Sequence, residues 1–210
     1  TDGSLPTVVK VGTVASIING NQPIYSGLGL AQRGSGKWRQ RAPTHLQGPE
    51  QKYRVILDCK GKGPSGIYAS PNERSHGSRL WMHYFSQSDL YDMIAREGPH
   101  CEFIWWDVRS AYQQLRLRGV DLHAFCCKTV TEAYGEEHWT FLVNTFGWND
   151  SEANFQLFMT ILLHLMRQDP LLRNCANYVD NGFVAAPKGR LAETEAALKS
   201  FLEHYGVPYH

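Results

Sequence analysis

Asn177-Tyr178-Val179-Asp180-Asn181-Gly182-Phe183-Val184-Ala185-Ala186 decides how this chain of 210 residues is read. Apolar residues flank a polar tip at Asp180-Asn181-Gly182. Two short strands joined at residues that tolerate positive φ make a β-hairpin, and Asn-Gly is a common turn of that kind. A plain hairpin would account for the pattern. A second acid upstream adds to it, because Phe103-Ile104-Trp105-Trp106-Asp107-Val108 is an apolar strand that ends at a carboxylate. Two strand-end aspartates brought together form a site of hard oxygen ligands, which suits magnesium.

Working outward, Lys52-Tyr53-Arg54-Val55-Ile56-Leu57-Asp58 reads as a strand. Ser86 or Ser88 is placed to cap a helix that runs to Arg96 and stops at Gly98-Pro99. A short helical turn through Ala111, Tyr112 and Leu115 follows Asp107. Strands are expected over 124–130 and 139–143, with Gly135 near the turn between them. Asn149, Asp150 and Ser151 are possible caps for an amphipathic helix carrying Phe155, Phe158, Leu162 and Leu165, ended by Asp169-Pro170. The last helix sets Leu191, Thr194, Leu198, Phe201 and Tyr205 on one face and has Gly206 beyond its end. In the first 50 residues, 8–18 reads as a strand, whereas 27–48 is rich in glycine and reads as a partly mobile connection. The order strand, helix, strand, strand, helix, hairpin is that of an α+β fold with a ferredoxin-like split βαβ antiparallel sheet and helices on one face. The expected domains are an irregular extension over 1–50, a small segment over 51–100 and the main domain over 101–210.

Composition narrows the classes. The chain is 42% hydrophobic and 12% aromatic, as in a globular protein, and no apolar run nears the roughly 18 residues that cross a bilayer. Thr1 to Lys10 lacks the basic start and apolar core of a signal peptide, and a first residue of Thr suggests a fragment or a processed chain. The five cysteines include no C-x-x-C pair, and the nine histidines show no zinc-ligand spacing with them. Free thiols in a reducing compartment are expected, which means cytoplasm or nucleus. A net charge of +1 hides an uneven distribution. Arg33, Lys37, Arg39, Arg41, Lys52, Arg54, Lys60 and Lys62 face only Glu50 and Asp58 in one segment, so the rest of the chain is acidic. A basic lobe beside an acidic centre fits phosphate binding next to a metal, and an ordinary solvated surface is the alternative. Gly34-Ser35-Gly36-Lys37 is no P-loop, because Ala31 stands at the first glycine position and Trp38 replaces the Ser or Thr.

Four motifs in order resemble the fingers and palm of a retroelement reverse transcriptase over about residues 50–210. They are the strand with Lys52 and Arg54; Asp107-Val108-Arg109-Ser110-Ala111-Tyr112; Phe146-Gly147-Trp148 followed by Ala153, Phe155 and Gln156; and Tyr178-Val179-Asp180-Asn181, which resembles a Tyr-x-Asp-Asp box. The closing segment, 183–209, is most similar to retrotransposons of the tyrosine-recombinase type. The resemblance implies a palm, a partial fingers subdomain and no thumb. It implies two-metal nucleotidyl transfer with magnesium, or manganese in its place, held by Asp107, Asp180 and the Val108 carbonyl. It assigns phosphate binding to Lys52 and Arg54, and makes Tyr112 the gate against a ribose 2′-hydroxyl. Phe146 and Gln156 would shape the nucleotide pocket and template path. Tyr112 as a core aromatic, Phe146 as core, and Gln156 and Arg54 as surface groups remain open alternatives. Implied partners are an RNA or DNA template–primer, deoxynucleoside triphosphates, and the thumb and other domains of a longer polyprotein, with no membrane. Two positions depart from the family pattern. Asn181 stands where the box has its second aspartate, removing a negative charge from a site for two dications, so weak or absent catalysis is expected. Glu152 replaces a usual proline. A non-catalytic module that binds nucleic acid or a protein partner is the alternative function, and a structural relic is a third possibility.

Overall fold

The structure is a computed structural model that describes residues 8–10, 23–32, 53–60, 70–74 and 84–210. In chain order its elements are β1 (Val8–Lys10), β2 (Gly27–Gln32), β3 (Tyr53–Asp58), α1 (Pro71–Arg74), α2 (Gln87–Glu97), β4 (Glu102–Asp107), β5 (Cys126–Thr131), β6 (Gly135–Phe141), α3 (Asp150–Met166), β7 (Cys175–Tyr178), β8 (Asn181–Ala186) and α4 (Leu191–His204). The fold is α+β with small antiparallel sheets. It divides into two compact units. One takes its described residues from the chain up to Arg74 and from Arg116–Ser151, and the other from the chain between Tyr84 and Leu115 and from Glu152–His210.

In the first unit β5 and β6 form a hairpin whose second strand also pairs with β1. Gly135 opens β6 at φ +66°, where a side chain would be strained. This pairing corrects the expected sheet: β5 and β6 belong with β1 and not with the strand that carries Asp107. Element order alone does not say which of two sheets a hairpin joins. A second correction concerns 27–32, expected to be part of a mobile connection. These residues form β2, paired with β3 from Gly27 opposite Asp58 to Gln32 opposite Tyr53. Its glycines lower strand propensity, but the β-branched and apolar run of β3 supplies the partner ladder. The unit's core gathers Ile24, Leu57, Cys59, Ala124, Phe125 and Cys127. The remaining expectations for the first 50 residues, over 11–22 and 33–50, lie outside the described residues.

The second unit is a three-stranded sheet in the order β4-β8-β7. Strand alternation sends Ile104, Trp106 and Val184 into a core with Phe155, Met159, Leu162, Leu163 and Met166 of α3 and Leu198 and Leu202 of α4. Each such fully buried side chain contributes roughly 1.5–3 kcal/mol. Phe103 and Trp105 point the other way, and Trp105 is 67% exposed. Ser86 caps α2 in a reciprocal box: Asp89 N–H donates to Ser86 Oγ, and Ser86 N–H donates to Asp89 Oδ2 at 2.7 Å. Gly98 ends that helix and Gly206, at φ +64°, follows α4, both where the sequence places them. Among the described residues no helix is long and apolar enough to cross a membrane.

Candidate active site

Tyr178 pairs with Asn181, so the β7–β8 loop is only Val179 and Asp180. The expected tip at Asp180-Asn181-Gly182 is therefore corrected: Asn181 and Gly182 lie within β8. Packing outweighs the turn preference of Asn-Gly. The Trp106 indole rests directly on Gly182, and a Cβ there would overlap Cε2, Cζ2 and Nε1 of the ring. A turn at Asn181-Gly182 would pull the glycine from beneath it. The positive φ that a tight hairpin needs falls instead on Val179, at +54°. For a β-branched residue this conformation costs about 1–3 kcal/mol.

Asp107 ends β4 directly opposite Asn181. The next residue, Val108, donates its N–H to the Asp180 carbonyl at 3.0 Å. On its other side Asp107 exchanges two backbone hydrogen bonds with His210: its N–H donates at 3.3 Å, and its carbonyl accepts at 2.9 Å. The backbones of Asp107 and Asp180 thus meet at one end of the sheet. Asp107, Asp180 and Asn181 are all half-buried, while Val108 is buried. Their donor set consists of two carboxylates, an amide and backbone carbonyls. Hard oxygens of this kind fit a magnesium ion, although Asn181 contributes no charge. Among the described residues no three His, Cys, Asp or Glu side chains gather as a metal site.

Tyr112 sits on a short 3₁₀ helix, Ala111–Gln114, and follows Ser110 at φ +53°. Its half-buried ring meets Phe155 edge to face, with centroids 5.9 Å apart. Tyr112 therefore packs against the core, and Phe155 is a core residue. Gln156 is not a free surface amide. Its Oε1 accepts from Asn177 Nδ2 at 3.1 Å, and its Nε2 donates to Asn177 Oδ1 at 3.4 Å. Asn177, which the sequence reading passed over, is 7% exposed. A polar residue amid the apolar positions of β7 was the signal that could have found it. Asp92, Arg96, Gln156, Thr160, Arg167 and Asn177 help line a cavity of about 300 Å³ between α2, α3 and β7. Glu152 accepts from Tyr84 Oη at 2.7 Å, and this bond to a carboxylate pushes the Tyr84 phenol up. Cys175 is also raised, to about 11, because burial disfavours its thiolate.

Phe146 and Arg54 belong to the first unit. The Phe146 carbonyl accepts from Leu57 N–H of β3 at 3.0 Å, and the ring is half-buried. Gly147 follows at φ +102°, where a Cβ would fall on the Leu57 carbonyl oxygen. Arg54 occupies β3 opposite Ala31. Lys52 and the side chain of Arg54 lie outside the described residues, as does most of the basic segment. Four sequence-predicted positions therefore come together in the second unit, namely Asp107, Val108, Asp180 and Asn181, with Gln156 linked to their hairpin through Asn177, while Tyr112 packs on Phe155 in the same unit. No protein-family model matches the chain, and no curated protein matches it by sequence.

Proposed function

We propose that this chain is the fingers and palm part of a retroelement RNA-directed DNA polymerase, of the tyrosine-recombinase retrotransposon type, in which Asn181 leaves catalysis weak or absent. The observation that carries this reading is the strand register, with Asp107 opposite Asn181 and Val108 N–H on the Asp180 carbonyl. Two carboxylates separated widely in sequence are thereby delivered to one sheet end. On this reading Asp107, Asp180 and the Val108 carbonyl hold magnesium, or manganese in its place. Bound there, the metal supplies charge neutralisation at the transferring phosphoryl group. The chain's own part is to hold the template–primer and the deoxynucleoside triphosphate in line, with Arg54 and Lys52 balancing phosphate charge and Tyr112 limiting the sugar. Phe146 and Gln156 then act on the nucleotide from the loop and the helix, Gln156 through its hold on Asn177.

Asn181 favours a second reading, a non-catalytic module that keeps the fold and binds nucleic acid. Primer extension on an RNA template, with magnesium and then manganese, separates the two. The parent should extend slowly or not at all, and Asn181→Asp should extend faster. Extension by the parent at the rate of the variant would overturn the weak-catalysis claim. Failure of both proteins to extend, with template–primer binding unchanged by Asp107→Asn, would leave the binding module as the better reading.

A further inference from the structure

Asp180 lies in a two-residue turn, and the direction of its Cα–Cβ bond, from which the carboxylate projects, is set by the two peptide planes on either side of its Cα. The plane after it carries the Asp180 carbonyl, fixed by Val108 N–H at 3.0 Å. The plane before it carries the Val179 carbonyl, which accepts from Asn177 Nδ2 at 3.0 Å. Asn177 is itself clasped by Gln156 of α3 through the two amide–amide bonds at 3.1 and 3.4 Å. Asn177 is buried and Gln156 half-buried beside the cavity, so the clasp is partly shielded from water. It also holds Val179 at φ +54°, a conformation that valine does not adopt by preference.

From this chain of bonds we infer that Asn177, held by Gln156, is a positioning residue for the Asp180 carboxylate. Gln156 sets the Asn177 amide, Asn177 sets the Val179–Asp180 peptide, and that peptide aims the carboxylate. The role of Gln156 is thus indirect, reaching the site through the hairpin. The inference rests on the proposed metal-dependent function of Asp107 and Asp180, but the hairpin geometry is measurable by itself.

The test uses the full chain and manganese as the probe. Binding is followed by electron paramagnetic resonance for the parent, Asn177→Leu, Gln156→Met, and Asn177→Leu combined with Val179→Gly. Backbone amide exchange over 178–181 is read in the same proteins. Each single variant should bind manganese about tenfold more weakly, the usual scale for removing an outer partner of a metal ligand. Exchange should quicken in the hairpin while the β4 amides stay protected. Glycine at 179, which takes positive φ freely, should restore both properties, an effect that a general packing defect would not show. If the parent binds manganese and both single variants bind equally well with unchanged hairpin exchange, the positioning role is overturned and the polymerase reading stands. If the parent binds no manganese, the polymerase reading falls instead. Exchange then decides the clasp: quickening confined to 178–181 supports it, and no change overturns it.

Discussion

Replacing Gly182 by alanine tests the packing that fixes the hairpin register. The added methyl would occupy space already held by the Trp106 indole, which is 3% exposed in the core of the second unit. Two responses are open. Driving the indole into water forfeits about 150–250 Å² of burial, or roughly 4–6 kcal/mol at about 25 cal/mol per Å². Parting β4 from β8 locally is an overpacking response of about 1–3 kcal/mol. The cheaper route sets the outcome, so Gly182→Ala should destabilise by about 2–3 kcal/mol and lower Tm by roughly 4–12 °C. Urea unfolding followed by far-ultraviolet circular dichroism measures this. Trp106→Phe provides the second arm. Nε1 of Trp106 is buried with no partner, so the smaller ring sacrifices no hydrogen bond within the protein. In that background the alanine should cost at least about 1 kcal/mol less, a coupling expected of residues in contact. A change within about 0.5 kcal/mol for Gly182→Ala alone, or strict additivity in the pair, would refute the account of the register.

Gly147→Ala meets a main-chain carbonyl at positive φ and should cost roughly 3 kcal/mol or more, read by urea unfolding. Val179→Gly should leave stability within about 1 kcal/mol of the parent or raise it, because relief of the left-handed strain opposes the flexibility gained by the unfolded chain. Burial pushes the Cys59 thiol up to about 12 and the Cys127 and Cys175 thiols up to about 11. Each folded-state pKa lies above the unfolded value near 9, so the folded state keeps its protons longer. The stability they support is therefore complete below about pH 9 and is lost as pH rises toward 11–12, which urea midpoints across that range would reveal. At pH 8 an aromatic disulfide reagent should label the half-buried Cys101 before these three, with mass spectrometry to locate the label.

Elements with a local signature were legible in the sequence. Ser86, Gly98 and Gly206 punctuate α2 and α4 where the chain says they should, because caps act within a few residues. The hairpin was visible from its flanking apolar runs. Its turn was misplaced because Asn181-Gly182 has strong local preference, while the competing demand of Trp106 comes from a distant strand. β2 was hidden for the same reason: 27–32 looks like a loop until β3 is beside it. The assignment of β5 and β6 to one sheet or another depends on β1, more than a hundred residues away in sequence. In the site, Asp107 and Asp180 were picked out as strand-end acids, and Asn181 by the resemblance of Tyr178-Val179-Asp180-Asn181 to a Tyr-x-Asp-Asp box. Nothing local to Gln156 shows that its amide is used by Asn177, since that pairing depends on how α3 lies across β7.

The bridge between Val108 and Tyr209, with the two hydrogen bonds joining Asp107 to His210, has a practical side. Any affinity tag or fusion joined after His210 leaves the protein from the edge of β4, beside Asp107. A bulky or polyhistidine label there would sit next to the carboxylates and could sequester the very cations under assay. Reagents for metal titration are better labelled away from His210.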